Sequence, residues 1–308
     1  MRIWIVTKTM ILLGCIALAC MQSNENKPPP EQVLEQYRQY SSFTDPGQFV
    51  HLYSGFPESL KDLCTLIKRQ LIHPVDVGQF SGQIPDDRNY EDQEFPTVAK
   101  MLEALIERDR NGLVLERKPE ARLVVACVHH CMLFASIMRY RGIPVRIRSG
   151  FAKYIGDDKR LRVSHVVCEV WSSEKENWIL VDPDRQIVDL PRSQFEFASQ
   201  AWRLLRNGDL KEERYISSHD SAARAVLHLL CHDLSYVIGE EMVYWEDPPI
   251  VADLKSSLSD IETSKLNVLD QIAEYLERPD DHLRELESLK LEHKYLQFEV
   301  TEQVKIER

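Results

Sequence analysis

The chain has 308 residues, with 38 Lys and Arg against 49 Asp and Glu, a formal net charge of −11 and 44% apolar residues. These are the proportions of a folded globular protein, and 11 Gly with 15 Pro exclude a fibrous repeat or a wholly disordered chain. An acidic chain without a long basic block excludes a phosphate-tracking nucleic-acid binder, and seven cysteines with no Cys-x-x-Cys pair exclude a zinc knuckle.

Arg2 and Lys8 precede an unbroken apolar run from Met10 to Ala19, the pattern of a secretory signal peptide. That run is shorter than the about 20 residues a membrane-crossing helix needs. Ala17-Leu18-Ala19 ahead of Cys20 resembles a lipoprotein cleavage site with Cys20 as the lipid acceptor; plain secretion is the alternative. The expected organisation is a signal peptide over 1–19, a tether over 20–45, a domain over 46–250 with its motif core at 95–190, and a helical tail over 251–308. The expected location is the cell envelope, periplasmic or on the outer surface, with membrane attachment through the lipid.

Leu60, Leu63, Cys64, Ile67 and Leu71 recur at helical spacing and stop before His73-Pro74, which predicts an amphipathic helix. Asp86 to Glu94 is dense in charge without apolar periodicity and reads as a surface loop. Thr97 can cap a second helix carrying Val98, Leu102, Leu105 and Ile106, and Cys127 to Tyr140 is a third, ended by Gly142 and Pro144. From Val145 the pattern alternates, predicting a strand with Arg146 and Arg148 outward. Strands at Ser164–Trp171 and Trp178–Asp182 follow, joined through the turn 172–177. Helices are expected again at Gln194–Arg206 and Ser221–Val237, and the leucine stripe from Leu266 to Leu289, broken at Pro279, predicts a helical hairpin packed on the core or on a partner protein. The fold class is α+β, a helix packed on an antiparallel sheet with a C-terminal helical extension.

Three residues concentrate the chemistry. Cys127 opens its helix, where unpaired N–H groups and the helix dipole favour a thiolate. His165 opens the second strand and Asp182 ends the third; if the two pair about the 172–177 turn, His165 and Asp182 are opposite or diagonal neighbours. Asp182 would then steady His165, His165 would deprotonate Cys127, and the thiolate would attack an acyl carbon.

The blocks Cys127-Val-His-His-Cys-Met-Leu-Phe through Gly142-Ile143-Pro144-Val145-Arg146, His165-Val-Val-Cys-Glu-Val-Trp171 and Trp178-Ile-Leu-Val-Asp182-Pro183 together resemble the transglutaminase-like superfamily. The resemblance implies a papain-like core and a Cys127, His165, Asp182 triad. It selects Cys127 over Cys131 as nucleophile, because Cys127 stands fifteen residues ahead of Gly142, and it leaves Cys131 in the core. It also implies a thiol hydrolase or acyltransferase acting on a peptide or protein amide. The alternatives are an inactive scaffold that binds a partner, and a crosslinking transglutaminase. The Cys127 backbone N–H can serve as one oxyanion donor, while no side chain is assigned as the second. A disulfide from Cys127 to Cys131 or Cys168 would silence the enzyme.

No phosphate-binding glycine loop, dinucleotide fingerprint or calcium loop is present, so no cofactor is expected. His129 and His130 are adjacent helical residues that point apart. His228 and His232 share a helix face but lack a third ligand, so a half-buried pair is expected rather than a metal site. Arg146 and Arg148 belong to a basic stretch read as a solvated strand face, and Trp171 and Trp178 either wall the cleft or pack across the hairpin.

Overall fold

The computed structural model describes residues 28–88, 90–243 and 247–298. The signal peptide and Cys20 therefore lie outside the described residues, and among those described no helix is long and apolar enough to cross a membrane.

In chain order the main elements are helix α1 (Glu31–Arg38), α2 (Leu60–Gln70), strand β1 (Leu71–Ile72), α3 (Val98–Arg108), β2 (Leu123–Val124), α4 (Cys127–Tyr140) and β3 (Val145–Ala152). They continue with β4 (Arg162–Ser172), β5 (Asn177–Asp182), β6 (Ile187–Leu190), β7 (Phe195–Phe197), α5 (Ala198–Asn207), β8 (Tyr215–Ile216), α6 (Ala222–Val237), α7 (Pro249–Asp253), α8 (Thr263–Glu277) and α9 (Pro279–Glu292). This is the expected α+β class. The main sheet runs β6-β5-β4-β3-β7 with antiparallel neighbours, and β8 adds a short parallel pair to the start of β4.

The expected punctuation is present: Thr97 Oγ1 accepts the Lys100 N–H at the start of α3, and Gly142 leaves α4 at φ +67°, a conformation that suits glycine. Every residue of α4 from Cys127 to Arg139 is buried, so this helix is the axis of the core. Gly150 has a different role. A Cβ there would meet the Glu196 carbonyl oxygen at 2.2 Å, so the close approach of β7 requires glycine. Past β7 the edge of β3 is covered by α6, whose Asp233 accepts the Ser149 N–H and whose Leu229 carbonyl accepts the Ser149 hydroxyl.

Three expectations need correction. Residues 31–45 are not a tether: Leu34, Tyr37 and Phe43 lie in the core, and Tyr37 meets Trp178 edge-on at 5.6 Å. The 86–94 segment is not purely superficial, because Glu91 and Asp92 are buried and accept the backbone N–H groups of Val124 and Ala126, both at 2.8 Å. Arg146 and Arg148 do not face solvent. They are 2% exposed each, covered by α6 and the α8–α9 hairpin, whose own stripe of Leu266, Leu269, Ile272, Leu276, Leu283 and Leu286 is continuous with the main core. The first helix expected after the strands also starts at Ala198 rather than Gln194, since Phe195–Phe197 pairs with β3 as a strand.

Candidate active site

Two short pairings build the site. The first is β1 with β2, a parallel ladder of Leu71 with Leu123 and Ile72 with Val124, extended by the Val125 N–H to the Ile72 carbonyl at 2.9 Å. It sets the residue after β1, His73, beside the start of α4. The second is β4 with β5, in which Cys168 faces Val181 and Trp171 faces Trp178. In that register Val167 lies across from Asp182 and His165 is its diagonal neighbour, one of the two placements expected from the hairpin.

His165 Nε2 meets Asp182 Oδ2 at 2.8 Å, and the other ring nitrogen, Nδ1, is left for the hydrogen bond between His165 and Cys127. Asp182 is held in turn by the Tyr154 hydroxyl at 2.6 Å and the Arg185 N–H at 2.9 Å. Its carboxylate is fully buried. Burial opposes its charge, yet the His165 imidazole keeps its pKa below the usual range. On His165 burial opposes the proton, but Asp182 and the Cys127 sulfur raise its pKa well above that of an ordinary imidazole. Burial also works against a Cys127 thiolate; the His165 charge, the His165 hydrogen bond and a hydrogen bond from His73 overcome it and bring the thiol down to about 6. The three groups expected to meet are thus in one hydrogen-bonded chain.

His73 is the residue that the sequence reading missed. Its Nδ1 accepts the Val75 N–H at 3.3 Å, which fixes the proton on Nε2, the nitrogen left to reach the sulfur. Its only local signal is a place at the end of a helix before proline, which marks a chain break and nothing more. Asp92 is the second omission. Its carboxylate accepts the Ala126 N–H directly ahead of Cys127, and burial followed by the Cys127 charge raises its pKa to about 7.

The remaining candidates sort themselves by contact. His129 and His130 are fully buried, with Nε2 of the first near the Asp92 carbonyl at 3.2 Å and Nδ1 of the second near the Ala126 carbonyl at 3.1 Å. Burial lowers their pKa values to about 4 and about 3, so they pack as neutral rings. Cys131 and Cys168 exchange weak sulfur contacts with each other's strand or helix and form no disulfide with Cys127. Trp171 and Trp178 pack on each other at 5.5 Å, with Trp178 also under the Arg146 guanidinium. Cys127 as a residue is 4% exposed. A separate cleft of about 1150 Å³ lies among Arg146, Trp178, Arg192, Phe197 and Asp280 and does not include the triad.

Residues 121–183 match the model of the transglutaminase-like superfamily core, and that stretch holds Cys127, His165 and Asp182. No curated protein matches the chain. A solved structure of a candidate cysteine protease from Cytophaga hutchinsonii is similar at 16% identity with a TM-score of 0.30, over 52% of this chain. The similarity spans 44% of that protein, less than half its length. The match over 121–183 thus identifies a transglutaminase-like core within the chain, about a fifth of its length.

Proposed function

We propose that this protein is a cysteine-dependent amide hydrolase that works through a Cys127 thioester, exported and lipid-anchored through Cys20 so that it meets peptide or protein substrates in the cell envelope. One observation carries the chemistry: the first residue of α4 is a thiol brought down to about 6 beside an imidazole that a buried carboxylate holds.

In this reading Cys127 Sγ attacks the carbonyl carbon and the carbonyl π pair moves to oxygen. The resulting oxyanion lies at the N-terminal turn of α4, where the helix dipole and the His73 Nε2–H stabilise it. His73 is thereby the side-chain donor that the sequence left unassigned. His165 passes its Nδ1 proton to the leaving nitrogen as the C–N bond breaks, giving a thioester and an amine. His165 then accepts a proton from water while the water oxygen attacks the thioester carbonyl. The C–S bond breaks, the carboxylic acid leaves, and the thiolate and imidazolium are restored. With Cys127 only 4% exposed, a small acceptor such as water is favoured over a bulky amine.

Alkylation of Cys127 by iodoacetamide and cleavage of a quenched amide peptide library test the proposal together. The alkylation rate rises as pH passes up through about 6 and then levels, because the thiolate forms there. Cys127→Ala and His165→Ala each lower amide cleavage about 10³-fold or more. Cleavage unchanged in Cys127→Ala, or alkylation at pH 7 no faster than that of an ordinary thiol, would overturn the enzyme reading. For the location, Cys20→Ser is expected to abolish radiolabelled fatty-acid incorporation and membrane retention; a Cys20→Ser chain that stays labelled would refute the anchor.

A further inference from the structure

Outside the active site, a second group of chemistry-bearing residues converges where the sequence offered only a histidine pair. His219 lies in the loop between β8 and α6, His228 is in α6, and Asp247 precedes α7; one donor atom from each lies within 4.8 Å of the others. The His219 and His228 rings are 4.3 Å apart and nearly perpendicular, at 84°, so they do not stack. His228 Nδ1 meets Asp247 Oδ1 at 2.6 Å. His219 Nε2 is buried without a hydrogen-bond partner among the described residues, a costly arrangement for a polar atom.

We propose that His219, His228 and Asp247 form a binding site for a zinc-class divalent cation. The donor chemistry fits. Two imidazoles and a carboxylate suit Zn²⁺, with a fourth position open to solvent because the Asp247 side chain is 29% exposed. On binding, the His228–Asp247 pair opens from 2.6 Å toward the about 3.3 Å edge that tetrahedral bonds near 2.0–2.1 Å impose. Arg224, 3.3 Å from Asp247, is a cation beside the site and would swing away from the carboxylate on loading. The ion would tie the 217–221 loop and the start of α7 to α6.

The test uses tag-free full-length chain carrying Cys127→Ala, since a thiolate beside two imidazoles would itself bind zinc. Chelator-stripped protein is titrated with Co²⁺, read by visible absorption, and then with Zn²⁺ in competition. The expected result is about one tight equivalent per chain, intense four-coordinate bands, and a rise in melting temperature with zinc. His219→Ala and Asp247→Asn, which alter partly exposed positions, should each weaken binding about 100-fold with the far-ultraviolet circular dichroism unchanged. Binding that is absent, or that survives both substitutions at the same affinity, overturns the proposal. If either variant fails to fold, His219→Gln, which keeps a polar side chain but removes the imidazole, gives the deciding titration.

Discussion

Two clusters of buried charge share strand β4, centred four residues apart at Glu169 and His165, and behave in opposite ways. At Glu169, Oε2 accepts Arg146 Nε at 2.6 Å and Arg148 Nη1 at 2.9 Å, while Oε1 accepts Arg192 Nη2 at 2.5 Å. Arg148 also makes two parallel bonds to Asp233, at 3.0 and 2.9 Å, and Arg146 reaches Asp280. Burial opposes the charges of Glu169, Arg146 and Arg148, yet their partners push Glu169 well below and Arg146 well above their ordinary values. Three cations meet three anions in one network. At His165 the same strand supports a chain of Asp182, imidazole and sulfur in which the terminal member sits at about 6, within one proton of neutrality near physiological pH. Nearby Asp92 sits at about 7. Saturated charge fixes a fold, whereas charge left near its titration point can do chemistry.

Breaking the saturated cluster is expected to have the largest effect. Glu169→Ala strands Arg146, Arg148 and Arg192 around a buried gap, and losing one member of such a network costs about 3–5 kcal/mol. Urea denaturation should show that loss, while iodoacetamide reacts with the remaining folded protein at the wild-type rate. A parallel drop in thiol reactivity would mean that the two clusters are one unit, and the contrast would fail.

Asp182→Asn attacks the poised cluster instead. Without the carboxylate, His165 loses its main support for a positive charge, and the thiol climbs from about 6 toward an ordinary value. A rise of two to three units makes alkylation at pH 7 about 10- to 90-fold slower, equivalent to about 1.4–2.7 kcal/mol. The sign follows from the depressed pKa: the fold advantage of the wild type is full below pH 6, shrinks as pH rises above it and vanishes once both thiols are ionised. Stability should change far less than in Glu169→Ala, because the Asn oxygen can still accept from Tyr154 or the Arg185 N–H. Equal reactivity of the two proteins at pH 7 would remove Asp182 from the site.

How much of this was legible beforehand depended on range. The helices and the β4–β5 hairpin follow from local periodicity and from symmetry about one turn, so the His165 to Asp182 approach could be reckoned without coordinates, and Cys127 follows from its place at a helix start. The rest depends on pairings between distant segments. His73 comes to the sulfur through a two-residue parallel ladder with a strand some fifty positions later, too short to leave a pattern. Glu91, Asp92, Arg146 and Arg148 read as surface because charge normally is; they are inside because partners from other elements compensate them. The 31–45 segment read as tether because eight residues of α1 carry only Leu34 and Tyr37 to the core.

His73 gives the smallest expected effect and the sharpest use of the contrast, since it is the member of the poised cluster that no local signal marked. Its Nε2–H donates to the thiolate but holds no part of the fold beyond the turn at Val75, so His73→Ala should leave the denaturation midpoint within about 1 kcal/mol of wild type. A hydrogen bond to a charged group contributes about 1.5–3 kcal/mol, and the half-buried ring places it at the lower end, about one pKa unit. Alkylation at pH 6 then slows about 5-fold while the rate at pH 9 is unchanged, because both thiols are ionised there. Under the proposed function amide cleavage should fall more than alkylation does, since the same N–H would also face the oxyanion, which forms only during acyl transfer. If the two rates fall together, His73 acts on the sulfur alone; if neither falls, the ladder that brings it there serves packing, and the site reduces to the three residues that the sequence had already marked.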